Sequence, residues 1–212
     1  MKSPGHARTK LTLVAPHRGA ERAPMDDTSD ALLVERIRGG DAKSREQIYR
    51  RHVDYIAGMA TRILRSTDAG EDVVQDTFVI AFDRMDDLRD PAALRGWLAS
   101  IAISQVHRRL ARQRLLRILG LDRPLEDAPL DELAIFDTTA EVRSELAALD
   151  LVLRRLPADQ RIAWMLRHVE GESLDAVAVA CRCSLATVKR RIAAADERVR
   201  AHVKFARDEE AT

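Results

Sequence analysis

The stretch "SLDAVAVACRCSLATVKRRIAAADERV", Ser173 to Val199, reads as two short helices broken at "CRCS". Val177, Ala178 and Ala180 are the small apolar residues that let one helix lie against another. Ser184 is a good N-cap for a second helix starting at Leu185 or Ala186. In that helix Val188 and Ile192 are four apart and face inward. Thr187, Lys189, Arg190 and Arg191 then fall on or near the outward face. A helix-turn-helix places such residues against base edges and phosphates. The bland alternative is a helical hairpin with a solvated basic face. One residue resists the pattern: the turn often carries a left-handed Gly, and Arg182 stands there instead. A side chain in that conformation costs about 1 kcal/mol.

The rest of the chain narrows the choice. Its 212 residues allow one or two domains. Apolar residues make up 46 % and charged ones 33 %, with only 9 Gly and 7 Pro. That mixture suits helices laced with surface charge and disfavours sandwiches and barrels. The net charge of +1 hides a segregation of charge along the chain. Two cysteines make no disulfide framework. No apolar run nears the roughly 18 residues of a membrane span, and "LTLVA" is too short for a signal-peptide core. A cytoplasmic protein is expected.

Five segments are expected. Residues 1–29 lack a helical period and are rich in Pro, Gly and basic residues, as in a disordered tail. Met25, just before "DDTSD", is an alternative start. Residues 30–117 are helical, with Asp30 as first N-cap and Gly39-Gly40 as first stop. Leu33, Ile37, Ile48, Ile56 and Met59 recur at helical spacing. Val74, Phe78, Val79 and Phe82 are expected inside the helix "AGEDVVQDTFVIAFDRM", whose opening acids favour the dipole. "DDLRDPAALRG" is turn-like, and "WLASIAISQVHRRLARQRLLRIL" begins apolar and ends basic. Residues 118–140 form an acidic, mostly extended linker, with Asp122, Glu126, Asp127, Asp131, Glu132 and Asp137 against the single Arg123. Residues 141–205 return to helices; Pro157 suits a first turn and Gly171 a helix stop. Residues 206–212 are a tail.

Two sets of motifs resemble the bacterial sigma-70 family. "RLPADQRIAWMLRHVEGESLDAVAVACRCSLATVKRRIAAADERVR", Arg155 to Arg200, is similar to its fourth conserved domain. "LLVERIRGGDAKSREQIYRRHVDYI", "AGEDVVQDTFVIAFDRMDDL" and the Gly96-Trp97 pair are similar to its second. Neither a third domain nor a large first region is visible, which resembles the extracytoplasmic-function (ECF) group. The resemblance implies an all-α chain: a sigma-2-like helical bundle and a sigma-4-like helix-turn-helix joined by the acidic linker. It implies binding to core RNA polymerase and promoter-specific initiation at −10 and −35 elements. An anti-sigma partner is a family expectation, and the free chain is expected to be a monomer.

The resemblance also assigns residues. Asp72, Gln75, Asp76 and Phe78 match the surface that docks on the polymerase clamp. Arg89, Arg95, Trp97, Arg108, Arg109 and Arg112 match the −10-binding region, although Trp97 opens an apolar run and reads first as core. The basic end of that helix has no acid within it, so phosphate is its expected counter-charge. Ser184, Thr187, Lys189, Arg190 and Arg191 match the −35 helix. The family usually has Asn at the position of Ser104 and Asp at that of Arg108, so the −10 preference does not carry over.

Rival readings are weaker. Cys181 and Cys183 flank the turn and read as packing residues; a zinc site needs four ligands, and no others are suitably spaced. "IRGGD" lacks the Lys-Ser or Lys-Thr of a phosphate loop. No nucleophile with its base is visible, so neither an enzyme, a cofactor nor a metal is expected. A free-standing helix-turn-helix repressor or activator is the alternative function. It leaves the first domain without explanation.

Overall fold

In a computed structural model, residues 28–119 and 140–210 are described, and all regular elements among them are helical. The first domain starts with α1 (Asp30–Arg38), α2 (Ala42–Leu64) and α3 (Thr67–Asp83). Two 3-10 turns, Met85–Asp87 and Pro91–Ala93, lead into α4 (Leu94–Ile118). The second domain contains α5 (Ala140–Arg155), α6 (Ala158–His168), α7 (Leu174–Ala180) and α8 (Leu185–Glu210). Helix α8 runs past the expected domain end at 205. The expected N-terminal tail before Thr28, and the acidic residues Asp122 to Asp137, lie outside the described residues.

Helix boundaries follow local chemistry. The N-cap of α1 is Ser29, whose hydroxyl accepts from the Leu32 amide, and not Asp30. Asp30 is instead drawn away to Arg51 and His52 of α2, where its carboxylate accepts at 2.5 and 2.9 Å. Gly40 at φ 90° makes the turn after α1, as the double glycine suggests. Helix α3 starts earlier than its acids imply, because Ser66 caps it through the Ala69 amide. Pro157 is the N-cap of α6 and not its first helical residue.

The core of the first domain is the inner face of α2 packed on α3 and α4. Ile48, Ile56, Met59, Val73, Leu98 and Val106 are fully buried there. Gly70 permits the closest approach: a Cβ on it would lie 3.0 Å from Thr61 backbone atoms. Phe78 and Val74 are buried as expected, but Val79 is 64 % exposed and Phe82 only partly covered. Val73, Val74, Phe78 and Ala81 form the buried stripe, and Val79, about 100° beyond Phe78, turns away from it.

In the second domain α6 packs on α8, with Ile162, Leu166, Val177, Val188 and Ala195 buried. The Trp164 indole donates to Asp196 Oδ1 at 2.9 Å, which fixes the helix pair by a directional bond. The two domains touch: α7 lies on α4, and α6 lies on α2.

Candidate nucleic-acid interface

The helix-turn-helix is built as its sequence suggests. Ser173 caps α7 through the Ala176 amide, and Ser184 caps α8 through the Thr187 amide. Val177, Ala180, Val188 and Ile192 close the seam. Arg182 sits at φ 48°, so the turn keeps its left-handed residue despite the side chain. Lys189 and Arg190 are exposed at the start of α8. Thr187 is half-buried, its hydroxyl 2.9 Å from that of Ser184. Arg191 departs from expectation. It turns back into the domain, pairs with Asp159 of α6 and reaches Cys183 Sγ at 3.5 Å. A residue two positions beyond Lys189 lies about 200° round the helix, on its other side.

Both cysteines are free and partly buried against the core. Burial pushes the Cys181 thiol up to about 12, which suits a packing residue and not a thiolate. Among the described residues no group of His, Cys, Asp and Glu could hold a metal.

In the first domain, Arg89, Arg108 and Arg112 are exposed, while Trp97 is half-buried against the core. Arg108 reaches Gln105 Oε1 at 3.4 Å. Arg109 overturns the idea that the basic end lacks an internal counter-charge. Its guanidinium donates to Asp76 Oδ2 at 2.9 Å and lies 3.8 Å from Asp72. Two residues expected at the polymerase clamp thus meet one expected at the −10 element. Gln75 and Phe78 instead line a groove of about 650 Å³ between α2 and α3, with Tyr49, Val53, Val79 and Phe82.

Arg95 carries more than its sequence reveals. Its guanidinium stacks 4.0 Å from the Tyr55 ring centroid and donates to Glu172 Oε1 at 2.6 Å. The Tyr55 hydroxyl donates to the same oxygen at 2.9 Å. Arg62 donates through two nitrogens to Glu170 Oε1, at 2.9 and 2.5 Å. Arg65 pairs with Asp150 of α5, both side chains buried. Tyr55, Arg62, Arg65, Asp150, Glu170 and Glu172 therefore join the domains. No local pattern marks them, because each partner is distant in sequence.

A family model for sigma-70 region 2 matches residues 48–115, and one for sigma-70 region 4 matches residues 146–198. The RNA polymerase sigma-H factor of Pseudomonas aeruginosa is 31 % identical over 178 residues, covering 80 % of this chain and 91 % of the relative. The chain belongs to the sigma-70 family. The ECF RNA polymerase sigma-E factor of Haemophilus influenzae is 28 % identical over 186 residues, covering 82 % of this chain and 95 % of the relative. The solved structure of the sigma factor RpoE with the anti-sigma factor NepR from Bartonella quintana aligns with TM-score 0.59 at 25 % identity. It covers 77 % of this chain and 98 % of RpoE. CnrH, solved with the cytosolic domain of CnrY, shares the fold at TM-score 0.61 and 24 % identity, over 84 % of this chain and 99 % of CnrH. This sigma factor falls in the ECF group and acts in transcription initiation. Family membership implies a specificity subunit rather than an enzyme. Among the described residues no helix is long and apolar enough to cross a membrane.

Proposed function

We propose that this ECF sigma factor divides its work between two domains, residues 30–117 and 141–205. The first binds core RNA polymerase in the cytoplasm and opens the −10 element; the second reads the −35 element. Exposed Lys189 and Arg190 at the capped start of α8 carry the −35 assignment. Ser184 and Thr187 stand beside them, while Arg191 positions the helix through Asp159. The groove holding Gln75 and Phe78 supports a polymerase docking face, with Asp72 and Asp76 at its acidic edge. Arg89, Arg95, Arg108, Arg109 and Arg112 supply the cations for the −10 strand, and Trp97 stiffens their helix from below. All covalent chemistry belongs to the polymerase, so this chain needs no cofactor.

An anti-sigma factor is the proposed regulatory partner. The relative RpoE was solved bound to one, and it aligns over most of both chains.

The test is a mixing experiment. Full-length protein and core RNA polymerase are run together through size exclusion, then assayed for run-off transcription on pooled genomic DNA of the source cell. Co-elution with new discrete transcripts is expected. Absence of co-elution, with tight binding of the free chain to duplex DNA, would establish the repressor alternative.

A further inference from the structure

Helix α4 carries exposed arginines at Arg108, Arg112 and Arg114, and one of them is aimed. Nη1 of Arg108 donates to Gln105 Oε1 at 3.4 Å. Arg112 and Arg114 have no such tether among the described residues. The anchor is firm, because Gln105 is 6 % exposed and its neighbours Ala102, Ile103 and Val106 are buried. The anchor is also neutral. Arg95 and Arg109, by contrast, hold the carboxylates of Glu172 and Asp76. Arg108 is thus steered without being neutralised. A bond of this length orients the side chain and leaves it able to move onto a ligand.

A steered cation suits a base better than a phosphate. A phosphate attracts a mobile guanidinium from any side, and Arg112 and Arg114 meet that need. A base edge requires the flat fork in one plane, with two N–H groups pointing the same way. Nε and Nη2 of Arg108 have no partner among the described residues, so that edge of the fork is open. Guanine offers two adjacent acceptors, N7 and O6. Adenine and cytosine place an amino donor there, and thymine has one oxygen beside a methyl group. Ser104, one turn before Arg108, gives its hydroxyl proton to the Ser100 carbonyl at 2.8 Å, so it does not compete as a donor. Arg112, one turn after, lies about 6 Å further along the axis, within reach of a flanking phosphate.

We propose that Arg108 reads a guanine of the −10 element through N7 and O6, and that Gln105 positions it. The proposal rests on the −10 reading of α4 and names the base that α4 selects. Gln105 is a positioning residue and touches no DNA. The family usually carries Asp where this chain has Arg108. A carboxylate only accepts hydrogen bonds and cannot make this contact, so the guanine preference belongs to this chain.

The test uses holoenzyme assembled from core polymerase and the full chain. The template is a promoter recovered from its run-off transcripts, with the −10 positions randomised and each variant marked by a transcribed barcode. Wild type should select guanine at one −10 position by about tenfold over other bases. Arg108→Ala should lose selection at that position alone. Arg108→Asp should move it to cytosine or adenine, whose amino groups donate. Gln105→Leu should keep guanine as the preferred base with a margin lowered several-fold. Replacing that guanine by 7-deazaguanine removes N7 alone; wild-type transcription should fall, and that of Arg108→Ala should not. Arg108 is exposed, and co-elution with core confirms that its variants are folded. Guanine selection that survives Arg108→Ala overturns the proposal by placing the reader elsewhere. An equal loss at every position overturns it by making Arg108 a phosphate contact. Wild-type selection at −10 without any guanine overturns it too. An unchanged margin in Gln105→Leu strikes out the positioning role. Core-dependent transcripts with no base selected at −10 would instead overturn the −10 reading itself.

Discussion

Helices α4 and α8 are both read as DNA-facing, yet their cations are in different states. Lys189 and Arg190 of α8 are exposed and carry no ion pair among the described residues. Arg95 and Arg109 of α4 already hold carboxylates, Glu172 and Asp76. DNA gains counterion-release free energy from the first pair directly. On α4 it must displace an internal acid and gains correspondingly less. One helix is ready to bind; the other must first be released.

The same distinction between engaged and exposed groups divides neighbours in the α2–α3 groove. Phe78 is 4 % exposed and stacks edge-on against Tyr49 at 4.8 Å; Val79 is 64 % exposed. Phe78→Ala should destabilise the first domain by about 3–5 kcal/mol, seen as a lower denaturant midpoint. Val79→Asp should leave that midpoint almost unchanged and abolish co-elution with core polymerase. If Val79→Asp still co-elutes, the clamp docks elsewhere.

Next in size is the charge of α8. Lys189→Ala with Arg190→Ala should weaken −35-dependent initiation by about 10- to 100-fold and lower the salt slope of DNA binding by roughly two phosphate contacts. Core binding should be unaffected. Arg109→Ala should change the slope much less, since its charge is already spent on Asp76. Equal slopes for the two variants would remove the contrast between the helices.

Much of this is legible in the sequence. The cap Ser184, the turn at Gly40 and the seam of Val177, Val188 and Ile192 are local features, and local chemistry settles them; the turn expected through "DDLRDPAALRG" is shorter, because α4 already starts at Leu94. Arg191 and Arg109 escape such a reading for one shared reason. Their acids, Asp159 and Asp76, lie 32 and 33 residues away, and only packing brings them together. Val79 escapes it because an α-helix buries a stripe, and the continuous apolar run "FVIAF", Phe78 to Phe82, overfills it. Glu170 and Glu172 fall within the sigma-4-like motif, but nothing in that motif says that their partners are Arg62, Tyr55 and Arg95.

Two histidines extend the comparison to pH. Burial is the main force holding His52 below its ordinary value of 6.5, against the pull of Asp30. His168 is lowered for the same reason, against Asp196, but its side chain is 39 % exposed. For both, the folded state binds fewer protons than the unfolded state once pH falls below about 6.5. Stability from keeping them neutral is present above that pH and is lost as it falls. Thermal melts between neutral pH and about pH 5 should show His52→Gln losing less stability on acidification than wild type. His168→Gln should differ from wild type by less. A steeper loss in His52→Gln would reverse the sign and show that the Asp30 pairing dominates.

The smallest expected effect separates two left-handed arginines. Arg65 ends α2 at φ 60°, and Arg182 fills the helix-turn-helix turn at φ 48°. Glycine would relieve each of about 1 kcal/mol of backbone strain. Arg182 is exposed, so Arg182→Gly should raise stability by up to that amount, less what the unfolded chain gains in freedom. Arg65 is different, because its guanidinium pairs with buried Asp150 across the domain contact. Removing it leaves buried Asp150 with Arg154, at 3.1 Å, as its remaining cation, and the loss of one of the two partners costs about 1–3 kcal/mol in a closed chain, which still exceeds the relief. Arg65→Gly should therefore destabilise, unless the domains separate and let water reach Asp150. Small-angle scattering on that variant distinguishes the two responses. An expanded chain with little loss of stability would mean that the contact between the domains opens at small cost.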